Sequence, residues 1–311
     1  MGSIDINSFI NQQLAQWPLA AKNFAALDQV KTRTVTISPQ ETLVIQFNPG
    51  RIVSSAAKTD SQSIRERPCF LCHKNRPEAQ IEQPFKPTYE ILVNPFPIFP
   101  QHLTIVDQKH QPQSIYYRMA DMLELTHALS DFIIFYNGPR CGASAPDHFH
   151  FQAGKKGLMP LEQEWPKIEK LPLFKDSQVL VEASANYLRK CIVITGQNTE
   201  SIIHWVDKVI RHFSEYDKQH QEPMLNLLAS YEAHQWQIII FPRGAHRPRQ
   251  FFANEADQLL LSPASVDFGG LLITPREEDF KKLDAKVIRD IFDQVSLSNT
   301  IWHQLLNDLQ K

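Results

Sequence analysis

The sequence predicts an α+β fold made of two units of similar content. Three observations carry this expectation. Runs that alternate apolar and polar residues, the mark of half-buried strands, recur in both halves of the chain. Each half also holds a long stretch whose apolar residues are spaced near 3.6, as in a helix packed on a sheet. The 311 residues, 42% hydrophobic and 21% charged, suit two medium domains of ordinary globular composition. We place the first unit at residues 1–175 and the second at 176–311.

The elements follow in order. "SFINQQLAQWPLAAKNFAALDQV" has helical spacing broken at Pro18. "KTRTVTI" and "ETLVIQFNPGRIVSS" alternate as strands, and "RERPCFLCHKNRPEAQ" is a polar, proline-flanked loop. "YEILVNPFPIFPQHLTIV" reads as strand, proline-rich connection, strand, with His102 opening the second strand. "SIYYRMADMLELTHALSDF" is the long helix of the first half and leads through "FIIFYN" to a Gly/Ser/Pro loop. In the second half, "LRKCIVITG" is a strand and "TESIIHWVDKVIRHFSEY" a helix. "MLNLLASYEAHQWQIIIFPRG" is a hairpin with its tip near Glu232–Gln235. "FGGLLITPREEDF" is a strand running into a helix start, and "KVIRDIFDQVSLSNTIWHQLL" is a last helix.

A net charge of -2 offers no global basic field for nucleic acid or an anionic membrane, so neither is expected as a partner. The N-terminus lacks the basic start and apolar run of a signal peptide, and no apolar stretch is long enough to span a bilayer. A cytoplasmic protein is expected. Four cysteines are too few for a disulfide scaffold of this size; Cys69 and Cys72 form a CxxC, while Cys141 and Cys191 read as small buried residues.

The most informative stretch is "SAPDHFHFQAG", residues 144–154. His148, His150 and Gln152 alternate with Phe149 and Phe151, so one strand face enters a core and the other presents two imidazoles and an amide. The preceding "NGPRCGASAPD" loop can bring backbone N–H groups to an anion. Two thiolates and two imidazoles make a closed tetrahedral zinc site, and Cys69, Cys72, His102 and His148 supply that set as a structural metal centre. With His148 on the metal, His150 is free to attack a phosphorus centre and form a phosphoramidate. Gln152 can donate an amide hydrogen bond to the transferring group but cannot act as an acid at neutral pH. Phosphate leaving groups, which need little protonation, suit such a site.

"GASAPDHFHFQ" resembles the histidine-triad superfamily, specifically its transferase branch of galactose-1-phosphate uridylyltransferases, diadenosine tetraphosphate phosphorylases and GDP-L-galactose phosphorylases. The resemblance implies two fused histidine-triad-like units with antiparallel sheets and flanking helices, of which only the first keeps the catalytic triad. It implies His150 as nucleophile, with His148 and Gln152 beside it. The hydrolase branch ends the triad in a third histidine where this chain has Gln152, and Asp147 is an extra residue before His148. "LVNPFPIFPQHLTIV" is similar to the strand–loop–strand that meets the nucleotide, implying Asn94 at the ribose. "NPGR" resembles the segment that brings an arginine to the phosphates, here Arg51, and the proline loop implies Ser144 as a contact. The uridylyltransferase resemblance independently implies zinc on Cys69, Cys72, His102 and His148. "LLLSPASVDFGGLLITPREEDFKKL" is similar to the C-terminal part of the phosphorylases.

"FPRGAHRPRQFF" gathers Arg243, His246, Arg247 and Arg249, and Arg243 and Arg247 are candidates for binding a phosphate or sugar phosphate. Lys155 and Lys156 are further cations just past the triad strand. The expected activity is transfer of a nucleoside monophosphate from a nucleoside diphosphate sugar or dinucleoside polyphosphate to phosphate or a sugar 1-phosphate, by a monomer or homodimer. The alternatives are a nucleotide hydrolase, which Gln152 disfavours, and a zinc-stabilised nucleotide-binding protein without catalysis.

Overall fold

The computed structural model describes residues 5–52, 60–254 and 257–311. Its strands are β1 (Lys31–Ser38), β2 (Glu41–Phe47), β3 (Glu82–Phe85), β4 (Tyr89–Val93), β5 (His102–Asp107), β6 (Phe132–Asn137), β7 (His150–Lys155), β8 (Lys170–Lys175), β9 (Val179–Ser184), β10 (Ile192–Gly196), β11 (Leu225–Glu232), β12 (Gln235–Pro242) and β13 (Leu271–Thr274). Ten of them form one sheet in the order β3-β4-β5-β7-β6-β11-β12-β10-β9-β8, with every pairing antiparallel. Read inward from either edge, the two five-strand halves have the same connectivity. They meet at β6 and β11, from Ala229↔Ile134 to Asn226↔Asn137. The sequence's doubled pattern is thus a doubled α+β unit, joined edge to edge into a continuous sheet.

One helix in each half covers the same sheet face. Met119–Ala128 joins β5 to β6, and Thr199–Ser214 joins β10 to β11. The second helix starts where the Asn198 side chain accepts from the Ser201 N–H at 2.8 Å, and it buries Ile202, Trp205, Val206, Val209, Ile210 and Phe213 at helical spacing. Phe149, just before β7, and Phe151 within it reach this core, and Ile238 and Ile240 reach it from β12. The hairpin tip lies at Ala233 and His234, which take positive φ of 48° and 61° to match the strand twist.

The opposite face carries a second core. There β1 and β2 pair as a hairpin, and β13 of the second half adds to β2 in parallel, with Leu272 opposite Ile45. Phe241, Phe268, Phe292, Ile45 and Leu272 share this core. Arg189, fully buried, bridges the halves through Glu41 at 3.1 Å and through Glu164. The single last helix expected from sequence is two helices, Ala285–Val295 and Asn299–Leu309. The Ser298 hydroxyl accepts from the Ile301 N–H and starts a new helix at that point. Part of the "NPGRIVSS" run (53–55) lies outside the described residues. Among the described residues, no helix is long and apolar enough to cross a membrane.

Candidate active site and metal cluster

β7 keeps the alternation of its sequence. Phe149 and Phe151 are fully buried on the helix-covered face, with their rings 4.9 Å apart and edge to face. His150 and Gln152 emerge on the other face, where they line a cavity of about 450 Å³. The His150 Nδ1 lies 2.8 Å from the carbonyl oxygen of His148. A carbonyl only accepts, so Nδ1 carries the hydrogen and Nε2 keeps its lone pair. Burial lowers the His150 imidazole to about 4, which leaves the ring neutral at pH 7.

The cavity is shared by both halves. The first half contributes Arg51, Asn94, Asn137 and Ser144 to its wall, and the second contributes His246, Arg247 and Asp267. Asn94 is fixed by its own hydrogen bonds, donating to the Thr104 hydroxyl at 3.1 Å and accepting from the Phe96 N–H at 3.0 Å. Arg51 donates to the Phe96 carbonyl at 2.6 Å, and burial lowers its guanidinium to about 10. Arg247 lies 4.0 Å over the Phe251 ring and donates through Nε to the Ser262 hydroxyl. Asn137 was not singled out from sequence; it stands at the end of β6 beside the triad strand, and the "YNG" strand end is the signal that could have found it.

A separate cluster of side chains can hold a metal. The Cys69 and Cys72 thiols and the His110 and His148 imidazoles offer ligand atoms that all lie within 4.8 Å of one another. The His148 Nδ1 is 3.4 Å from the Cys69 Sγ and 3.5 Å from the Cys72 Sγ, and the His110 Nδ1 is 3.2 Å from the Cys72 Sγ. The His148 Nε2–H donates to the Asp107 carbonyl at 2.7 Å, which turns the Nδ1 lone pair toward both thiols. Two sulfurs and two nitrogens match the donor set of a closed zinc centre, so the residues fit that ion. Burial pushes the Cys69 thiol up to about 11, so ligation there has to displace its proton.

The fourth member of the cluster is His110, and not His102 as expected from sequence. His102 pairs with Gly154 across the β5–β7 ladder, six residues along the strand line from His148. At about 3.3 Å per residue that is roughly 20 Å, too far to share an ion. Both His102 ring nitrogens are also engaged: Nδ1 accepts from the Ile98 N–H, and Nε2 donates to the Gln152 Oε1 at 3.1 Å. Its imidazole thereby holds the Gln152 amide, with burial lowering the ring to about 3.

Arg243 also sits elsewhere than expected. It is 1% exposed, and its guanidinium donates to Asn226 and to the carbonyls of Val295, Pro263, Ala245 and His246 while stacking 4.4 Å over Phe268. Those contacts consume it inside the second half and leave nothing for a ligand. Arg249 pairs with Asp290, Lys155 with Asp131, and Lys156 donates to the Tyr231 carbonyl, all away from the cavity wall. Of the arginine-rich run, Arg247 is the member that reaches the cavity.

Residues 9–155 match the family described as "Domain of unknown function (DUF4922)", and residues 162–310 match "GDPGP1-like, C-terminal domain". Between them the two matches span nearly the whole chain. Its fold is that of the crystal structure of yeast Ap4A phosphorylase Apa2 in complex with Ap4A, at 14% identity and a TM-score of 0.55, with 92% of this chain and 97% of that one covered. The same yeast enzyme in complex with AMP gives 16% identity, a TM-score of 0.54 and 92% and 96% coverage. No curated protein matches the sequence.

Proposed function

We propose that the protein is a nucleotidyltransferase of the phosphorylase type that works through a covalent nucleotidyl group on His150. The observation that carries this reading is the hydrogen bond from His150 Nδ1 to the His148 carbonyl, which leaves Nε2 as a lone-pair donor on the cavity wall. The fold shared with a phosphorylase that takes Ap4A supports it. The donor is a nucleoside diphosphate sugar or a dinucleoside polyphosphate. Nε2 attacks the α-phosphorus, the N–P bond forms, and the bond to the bridging oxygen breaks. A sugar phosphate or nucleoside polyphosphate leaves with both electrons. In the second step an oxygen of inorganic phosphate or a sugar 1-phosphate attacks the same phosphorus, and the imidazole leaves with its lone pair restored.

The remaining groups have roles that follow from their chemistry. The Gln152 amide oxygen is occupied by His102, so its N–H2 is the end turned to the transferring group, as a donor without a transferable proton. Arg51 and Ser144 bind the donor phosphates, Asn94 meets the ribose, and Arg247 holds the anionic acceptor from the other half. Zinc on Cys69, Cys72, His110 and His148 supplies structural order and takes no part in the transfer.

Intact-protein mass spectrometry tests this reading, after incubation with UDP- and GDP-sugars, ADP-glucose and Ap4A. The expected result is a gain of one nucleoside monophosphate, absent in His150→Ala and reversed by phosphate or a sugar phosphate. Steady release of nucleoside monophosphate with no adduct and no effect of phosphate would replace the reading with a hydrolase.

A further inference from the structure

We infer that Gln113 is a positioning residue whose side-chain amide replaces a rung of the sheet and fixes the backbone of His150. The inference rests on the reading of His150 as nucleophile. β6 stays paired with β11 as far as Asn137↔Asn226, but its pairing with β7 stops at Phe135↔Gln152. Two positions on, past Tyr136 and Phe151, the next hydrogen-bonded rung of that register would join Asn137 and His150. The Gln113 amide lies between them instead. Its Oε1 accepts from the His150 N–H at 2.8 Å, and its Nε2 donates to the His150 carbonyl and to the Asn137 carbonyl, each at 3.0 Å.

The contact set admits one orientation of the amide. A flip would set N–H2 against an N–H and turn the oxygen toward two carbonyls. Gln113 is 3% exposed, so without it three backbone groups would be stranded away from water. The other side of β7 does not hold His150 in its place. There the ladder bonds run through the neighbouring residue, with the Phe149 carbonyl accepting from Asp107 and the Phe149 N–H donating to Gln111. A direct rung would hold the two Cα atoms about 5 Å apart. An amide inserted between the strands needs more, so Gln113 sets the gap between two side chains that both line the cavity.

Gln113 also ties the nucleophile to the metal cluster. It lies three residues after His110, and its own N–H donates to the Pro146 carbonyl in the loop before the triad. From the second half, the Glu222 carboxylate accepts from the Ile115 N–H at 2.6 Å and anchors the far end of the same segment. One short segment thus carries a metal-cluster imidazole at one end, a clamp on the nucleophile in the middle and an anchor to the other half.

The test compares Gln113→Met, which keeps the length and loses all three hydrogen bonds, with wild type. Three readouts are taken: the rate of nucleotidyl-adduct formation across donor concentrations, metal content, and hydrogen exchange at the His150 amide. We expect the maximal rate to fall 10- to 100-fold, since a misplacement of about 1 Å costs on that order. The half-saturating donor concentration should move less than about threefold, metal should stay bound, and the His150 amide should exchange faster while β4 and β5 do not. An unchanged rate overturns the inference. So does a parallel loss of rate and donor affinity, which would mark general damage. If Gln113→Met does not fold, Gln113→Glu is read in the same way; it keeps an acceptor for the His150 N–H and sets an oxygen against the two carbonyls. If wild type itself forms no adduct, the nucleophile reading has failed, and the exchange at His150 alone decides whether the clamp exists.

Discussion

The two halves of the sheet share strand order and helix placement but use the same face in opposite ways. On the face away from the helices, β7 presents His150 and Gln152 to a cavity, whereas β12 presents Ile239 and Phe241 to a closed apolar core. The difference lies less in the strands than in what covers them. Over β12 lie Phe268 and Phe292, with Phe241 and Phe268 rings 5.2 Å apart. Over β7, cover is withheld, and Arg51, Ser144 and Arg247 stand around the space that remains. Duplicated architecture thus lets one unit serve as wall and support for the cavity of the other. It also means that stability and activity can be separated by where the sheet is changed.

The largest expected effect separates them directly. His150→Ala should lower adduct formation by more than about 1000-fold, a barrier change of roughly 4 kcal/mol, while unfolding free energy falls by no more than about 1.5 kcal/mol. Phe241→Ala, on the matching face of the other half, should show the reverse, with about 3–5 kcal/mol lost in denaturant titration and the adduct rate per folded molecule kept. If Phe241→Ala abolishes the adduct in folded protein, the division of labour is wrong.

The metal cluster belongs to the first half alone, so its loss should act on that half. Metal present a thousandfold above its dissociation constant adds about 4 kcal/mol to the folded state. Chelation, or Cys69→Ser, should remove that contribution together with one zinc per chain. Cys191→Ala, a change at a fully buried thiol of the second half, should leave the metal in place. Elemental analysis of both variants decides it; full metal in Cys69→Ser would rule out the four-ligand set.

A smaller effect tests the traffic between halves. Arg247→Met should raise the half-saturating concentration of phosphate in adduct reversal about tenfold, near 1.4 kcal/mol, and leave adduct formation within about twofold. Equal losses in both steps would make Arg247 a donor contact.

How much of this was legible follows the range over which each feature is decided. The alternation at 148–152 is a property of one strand, so the division into core and cavity faces could be read directly. The CxxC is equally local. His110 was not legible, because nothing in its polar loop marks it and its place beside Cys72, 38 positions earlier, depends on how the chain between them folds. His102 was misread because a histidine at a strand start shows neither which end of the ladder it joins nor that the Ile98 N–H takes its Nδ1. Arg243 was misread for a related reason: a run of arginines is visible in sequence, but which guanidinium points inward is set by the carbonyls of residues up to 52 positions away. Gln113 bore no signal at all, since its role exists only where two strands part.

The smallest expected effect lies at the seam itself. Glu222, from the second half, is buried and accepts from the Ile115 N–H at 2.6 Å and the Tyr136 hydroxyl at 2.8 Å in the first. Burial raises its carboxyl from 4.5 to about 7 despite those donors. Below pH 4.5 both the folded and unfolded forms hold the proton. Between 4.5 and 7 the unfolded chain releases it first, so folding loses stability as pH rises through that window, and the full cost is present above 7. Glu222→Gln removes the titration but also weakens two charge-assisted hydrogen bonds, so the net gain at pH 8 should be only about 1 kcal/mol. The variant-minus-wild-type stability should rise between pH 5 and pH 8 and level off beyond. A difference that is the same at both pH values would mean that the seam is held by neutral packing, with the Glu222 charge already compensated.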